Sequence, residues 1–235
     1  MTADAALAGL LPRRARREGR LEVPHEAHAT LGHVVQAAGI PLTEVGTLLL
    51  DGSAAGPATR PPDGSAVHVP PVVRPQPVPA GGFLLDVHLG SLARGLRLLG
   101  LDVSWSPDAD DATLAARSGD EDRVLLTADR GLLLRRSVRH GALVRAAGAD
   151  AQLQDVLDRF RPELAPLTRC TACGGVLRPA APGEVAGEVP EGTRRSYAEF
   201  SRCTACSRVY WRGAHSRRIE EFLARWAGAS PPRSG

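Results

Sequence analysis

From Phe83 onward, short apolar runs alternate with helix-periodic stretches, and this alternation restricts what the middle of the chain can fold into. Strands are expected over 83–87, 101–105, 123–127 and 142–145, with helices over 89–99 and from Asp111, Arg130 and Ala151. Repeated strand–helix units imply a parallel sheet covered by helices on both faces. Such sheets bind ligands beyond the carboxyl ends of their strands. Asp86 and Asp129 each follow a strand at that edge, and Asp111 starts a helix there. Asp102 opens its strand at the opposite edge and is set aside.

Three carboxylates gathered at one rim repel one another unless a cation neutralises them. Mg²⁺ or Mn²⁺ suits hard oxygen ligands, and such a site activates water and stabilises a phosphodiester under in-line attack. The competing reading for Asp86 and Asp111 is helix capping, a routine use of aspartate. For Asp129 capping has less support, because the apolar run VLLT leads directly to it. His88 is read as a solvated or capping residue. Arg94 and Arg97 lie three apart, so they share a helix face away from the leucines and can meet a phosphate.

Residues 1–73 read as a small independent unit. A helix from Thr30 (TLGHVVQAAGI) is followed by strand-like runs at 45–50 and 67–69, separated by an Asp51-Gly52 turn. His33 is expected on its surface. The spacer 74–82 ends in Gly81-Gly82 and reads as a flexible joint. The 83–168 segment is the parallel α/β unit.

Cys170, Cys173, Cys203 and Cys206 form two Cys-x-x-Cys knuckles within 169–226. Four thiolates close a tetrahedral structural zinc site and leave no position open for catalysis. The intervening stretch 174–202 reads as a long loop, tolerated at modest entropic cost. Tyr210, Trp211, Arg212 and His215 then interleave aromatic with basic residues, the composition of a single-strand nucleic-acid contact; packing of the rings against the α/β unit is the alternative. Residues 227–235 are expected to be a disordered tail.

Charge is uneven along the chain. Residues 1–82 carry seven arginines and seven acids, 83–168 eleven and thirteen, and 169–235 eleven and six, with no lysine anywhere. A mildly acidic middle followed by a basic end suits a metal site beside a surface that holds a polyanion. No apolar run approaches a membrane span. The apolar AALAGLL precedes its arginines, whereas a secretory signal carries its charge first, so a cytoplasmic location is expected.

Two resemblances sharpen these readings. GIPLTEVGTLLLDG with DGSAVHVPPV resembles the β-grasp, ubiquitin-like domain, related to small sulfur carriers, that precedes a PIN-like nuclease in some bacterial proteins. Sulfur-carrier chemistry would require cleavage after Gly82, and a structural role, docking on the nuclease or on a protein partner, is the simpler implication. DVHLGSLARGLRLLGLDV, DATLA and RVLLTADRGLL resemble the PIN-like RNase domain named for the C-terminal region of the Mut-seven exonuclease, and YWRGAH matches its tail. That resemblance implies Asp86, Asp111 and Asp129 as ligands of Mg²⁺ or Mn²⁺, with Arg94, Arg97 and Arg130 at basic positions; it also implies a fourth acid, expected at Asp150, with Asp108 and Asp110 as rivals. The family usually has an aromatic residue where Gly95 stands and a basic one where Ala128 stands. The expectation is an α/β protein with three parts: a β-grasp domain, a PIN-like metal-dependent ribonuclease and a zinc ribbon. A catalytically inactive RNA-binding module is the rival.

Overall fold

The computed structural model describes residues 1–211, 213 and 216–227. Its N-terminal part contains β1 (Thr2–Ala3), α1 (Ala5–Ala8), α2 (Arg13–Glu18), α3 (Leu31–Ala37), β2 (Leu48–Leu50), β3 (Ser53–Ala55) and β4 (Val67–Val69). The strands form a mixed sheet in the order β1-β4-β2-β3, with β1 parallel to β4 and the remaining pairs antiparallel. Thr30 caps α3 by accepting from the His33 N–H, and Leu31, Val34 and Val35 turn inward while His33 is exposed. This is the expected β-grasp. Sequence patterning gave no sign of α2, because its RRARRE sequence buries only Ala15 and so has no apolar stripe to read.

The central unit runs β5 (Phe83–Leu85), α4 (Gly90–Leu98), β6 (Val103–Trp105), α5 (Asp111–Asp120), β7 (Val124–Thr127), α6 (Arg130–Leu133), β8 (Gly141–Leu143) and α7 (Ala149–Phe160). Its sheet is parallel throughout, in the order β6-β5-β7-β8. The first and third strands therefore sit side by side at the centre, and the residues that follow them share one rim.

Alternation along these strands divides the core. Leu84 and Leu125 face a cluster that includes α5, α6 and, from the N-terminal domain, Leu7, Leu10, Leu31 and Ile40. Phe83, Leu85 and Leu126 face α4 and α7. The apolar core of residues 1–73, read in the sequence as a separate unit, is continuous with one face of the parallel sheet. A buried ion pair crosses the same seam. Glu44, 4% exposed, accepts from Arg159 Nη1 at 2.8 Å and from the Leu143 N–H at 2.8 Å. Arg159, 1% exposed, also donates to the Thr43 and Gly141 carbonyls and to the Gln76 side chain.

The Gly81-Gly82 joint is fixed rather than flexible. Gly82 is buried with φ +75°, and a Cβ there would lie 2.5 Å from the Asp102 carbonyl oxygen. Its N–H donates to Pro79 and its carbonyl accepts from Val124. Cleavage after Gly82 would therefore have to act on a buried, hydrogen-bonded segment.

The C-terminal part contains β9 (Leu177–Ala180), α8 (Glu191–Ser196), β10 (Phe200–Cys203), β11 (Val209–Trp211) and α9 (Ser216–Ala227). The strands pair antiparallel in the order β11-β10-β9. The stretch read as a long loop holds a strand, a helix and a small core of Val185, Val189 and Phe200. The loop reading failed because its Gly, Pro and Glu content masks single apolar anchors spaced too widely for a periodic signal. Helix α9 leaves this sheet and packs on the central unit through Leu223. At Gly95, a Cβ would meet the Phe222 ring at 3.5 Å, so α9 fills the space beside this helix with an aromatic from elsewhere in the chain. Ala227 closes α9, and the remainder of the expected tail, 228–235, lies outside the described residues.

Candidate active site and cysteine centre

The rim is built by the last residues of the two central strands. The backbone N–H of Asp86 donates to Leu126, which continues the β5–β7 pairing one residue past the strand. Asp86 is 6% exposed, and its side chain makes no capping bond to the turn that follows. Instead its Oδ2 accepts from Thr127 Oγ1 at 2.6 Å. The capping alternative for Asp86 is therefore excluded by the geometry. Thr127 is fully buried, and its Oγ1 also accepts from the Asp129 N–H at 2.9 Å. One hydroxyl thus ties together the two acids that end neighbouring strands. Thr127 went unremarked in the sequence, although it is the sole polar residue of the VLLT run.

Asp129 has a different environment. It is exposed, and its Oδ1 accepts from the Gly131 N–H at 2.7 Å, so it caps α6. Asp111 is the first residue of α5, and the cap is its neighbour Asp110, which accepts from the Thr113 N–H at 2.8 Å and hydroxyl at 3.0 Å. Those bonds, the backbone one first, hold the Asp110 carboxyl below its ordinary range. Asp111 is half-exposed and lies 3.6 Å from Arg135 Nη2. The three acids occupy one sheet edge, yet among the described residues the four cysteines form the sole tight group of three or more metal-ligating side chains. Asp150 is engaged elsewhere, with Arg225 of α9 at 2.8 Å, and Asp108 is exposed in the loop before α5.

The arginines divide three ways. Arg94 is exposed on α4. Arg97, read in the sequence as a phosphate contact, is 2% exposed and committed to backbone carbonyls: Nε donates to Val103, and Nη1 to Thr171 and Ala172 at 3.3 and 2.9 Å. Burial lowers its pKa from the ordinary arginine value. Three-residue spacing put it beside Arg94, but the first cysteine knuckle lies over its side of the helix. Arg130 is exposed but gives Nη1 to the Leu10 carbonyl at 2.7 Å, across the seam to the N-terminal domain.

In the C-terminal sheet, the four Sγ atoms all lie within 4.8 Å of one another, with Cys173 and Cys203 at 3.4 Å and Cys170 and Cys206 at 3.7 Å. Gly175 keeps the knuckle narrow, since a Cβ there would lie 2.8 Å from Cys203 Sγ. Burial opposes ionisation of Cys170, but hydrogen bonds from Tyr210 and from the Cys173 and Ala172 N–H groups bring its thiol down to about 6. Burial and the neighbouring thiols push Cys173 up to about 12. Four thiolates can coexist here only with a cation between them, and an all-sulfur set of this size fits a tetrahedral metal ion. The hydroxyl of Tyr210, a residue expected to contact substrate, lies 3.0 Å from Cys170 Sγ and supports the cluster. Arg212 and His215 lie outside the described residues. Among the described residues no helix is long and apolar enough to cross a membrane.

A family model for the Mut7-C RNAse domain matches residues 81–223. A second, for the Mut7-C ubiquitin domain, matches residues 3–77. No curated protein and no solved structure matches the chain.

Proposed function

The chain belongs to the Mut7-C RNAse domain family, which gives it a nuclease role, and from that premise we propose a metal-dependent ribonuclease whose centre is the rim around Asp86 and Asp129. The observation that carries the reading is the burial of Asp86 with, among the described residues, a single hydroxyl donor. A carboxylate so placed is costly without a compensating cation, and it caps nothing. Mg²⁺ and Mn²⁺ commonly take one or two carboxylates, with waters and substrate phosphates as the other ligands, so the donor set fits without a tight acidic cage. When bound there, such an ion supplies an activated water and charge neutralisation for the phosphodiester.

The protein's own contribution is positioning. Thr127 fixes the Asp86 carboxylate and, through the Asp129 N–H, the backbone of the second acid. Asp129 keeps Oδ2 outside its capping bond to Gly131. Asp111 reaches the rim from α5, and Arg94 offers an exposed guanidinium to a phosphate. Cys170, Cys173, Cys203 and Cys206 would hold a structural Zn²⁺, and the N-terminal domain is compatible with a protein interaction.

The test is cleavage of a panel of RNAs by purified protein with Mn²⁺. Asp86→Asn abolishes cleavage, and Thr127→Val, which leaves the ligand unsupported, lowers it by about 10–100-fold. Full activity in both variants would sink the proposal. The ion pairing of Asp111 with Arg135 favours a second reading, an RNA-binding module without catalysis. It predicts metal-independent RNA binding and no cleavage in the same assay.

A further inference from the structure

Two residues beyond Asp86, His88 opens a cleft of about 600 Å³ that runs along the start of α4 to the first cysteine knuckle. One wall carries His88, Ser91 and Arg94; the other carries Arg208, from the turn between β10 and β11. Arg97 lines the cleft between them and anchors the knuckle to α4, so the two walls are held at a fixed separation. Among the described residues no carboxylate lines the cleft. Arg94, Arg208 and His88 are all exposed, whereas most arginines facing acids elsewhere in the chain, such as Arg117, Arg123 and Arg202, are consumed in ion pairs. Trp105 also lines the cleft: its indole N–H donates to Val87 at 3.2 Å, its half-buried ring packs on Gly90 and the core beneath α4, and the part of the ring that is not buried faces the cleft.

We propose that this cleft binds single-stranded RNA leading to the Asp86 rim, with Arg94, His88 and Arg208 on the phosphates and Trp105 as a stacking platform. A groove that combines unpaired cations with an aromatic ring is the recurring arrangement for sequence-tolerant single-strand binding. The carboxylate-free lining gives the charge complementarity, and the fixed walls limit the ordering needed on binding. The cysteine ribbon thereby acquires a role in substrate binding through Arg208. The inference rests on the ribonuclease reading for what lies at the end of the cleft.

Arg208→Ala is the decisive variant, because among the described residues its side chain makes no structural hydrogen bond or ion pair. Binding of a fluorescent single-stranded RNA is measured without divalent metal over a series of salt concentrations. Removing one arginine–phosphate pair reduces the slope of log K against log salt by about 0.7, with weaker binding across all sequences. Arg208→Lys restores most of the slope. Arg178→Ala, on the exposed face of β9 and away from the cleft lining, is the charge-matched control and leaves it unchanged. Metal content confirms that each variant keeps its cysteine cluster. Equal slopes for Arg208→Ala and Arg178→Ala would overturn the cleft, as would a wild-type protein that binds no RNA. Mn²⁺-dependent cleavage, assayed separately on the same proteins, reports whether the ribonuclease reading survives either result.

Discussion

The central sheet is fastened to its two flanking regions by one buried arginine each, and the two fastenings differ in kind. Arg159 meets the N-terminal domain through a carboxylate, Glu44, inside a hydrophobic core continuous across the seam. Arg97 meets the cysteine ribbon through backbone carbonyls alone. The first seam is held by apolar burial, with a desolvated ion pair fixing its register. The second depends on a knuckle whose shape is set by four sulfurs. The N-terminal domain should therefore unfold with the sheet, and the ribbon should come apart separately when the metal proposed for its four cysteines is removed.

The largest expected effect tests that difference from the ribbon side. A structural Zn²⁺ site carries on the order of 10–16 kcal/mol of apparent binding free energy, which is folding free energy where no preformed site survives without metal. Cys170→Ser, or chelation of the metal, should expose the amides of β9, β10 and β11 to hydrogen exchange while β5 and β7 stay protected. Loss of protection throughout the parallel sheet would show that the two regions fold as one unit. A smaller effect tests the other seam. Glu44→Ala leaves Arg159 buried without its carboxylate and should cost about 3–5 kcal/mol in denaturant unfolding. Arg97→Met removes charge-assisted bonds to carbonyls and leaves no buried charge behind, so its cost is about 1.5–3 kcal/mol. Equal costs would erase the distinction between the two fastenings.

Much of this architecture was legible in the sequence because its signals are local. The four strand–helix units, the rim positions of Asp86 and Asp129, and the two knuckles follow from spacing within a dozen residues. What stayed hidden depends on contacts between distant segments. The position of Arg97 on α4 does not reveal that residues 171–172 lie over it. Gly81-Gly82 has the composition of a joint, and its rigidity comes from the Asp102 and Glu121–Asp122 backbones packed against it. That the Asp86 side chain does not cap the turn after it could be read only from its partner, Thr127, which lies 41 residues away in sequence. At Asp111 the capping signal was present but belonged to the preceding aspartate.

That displaced cap gives the smallest effect, and it separates an acid that shapes a helix from acids that serve the rim. The Asp110 carboxyl is held below its ordinary range by the Thr113 N–H, so its contribution is fully present above its unfolded pKa and is lost as pH falls through the lower folded value. Asp110→Asn keeps an acceptor for the same N–H but cannot titrate. The variant should therefore be slightly less stable than wild type at neutral pH, and the gap in thermal midpoint should close as pH falls below the ordinary carboxylate range. Because Asp110 stabilises α5 without touching Thr127 or the Asp86 rim, Mn²⁺-dependent cleavage by this variant should match wild type. A stability gap independent of pH would show that the side chain does not cap α5 as a carboxylate. A loss of cleavage with the helix intact would move Asp110 from the cap to the metal site.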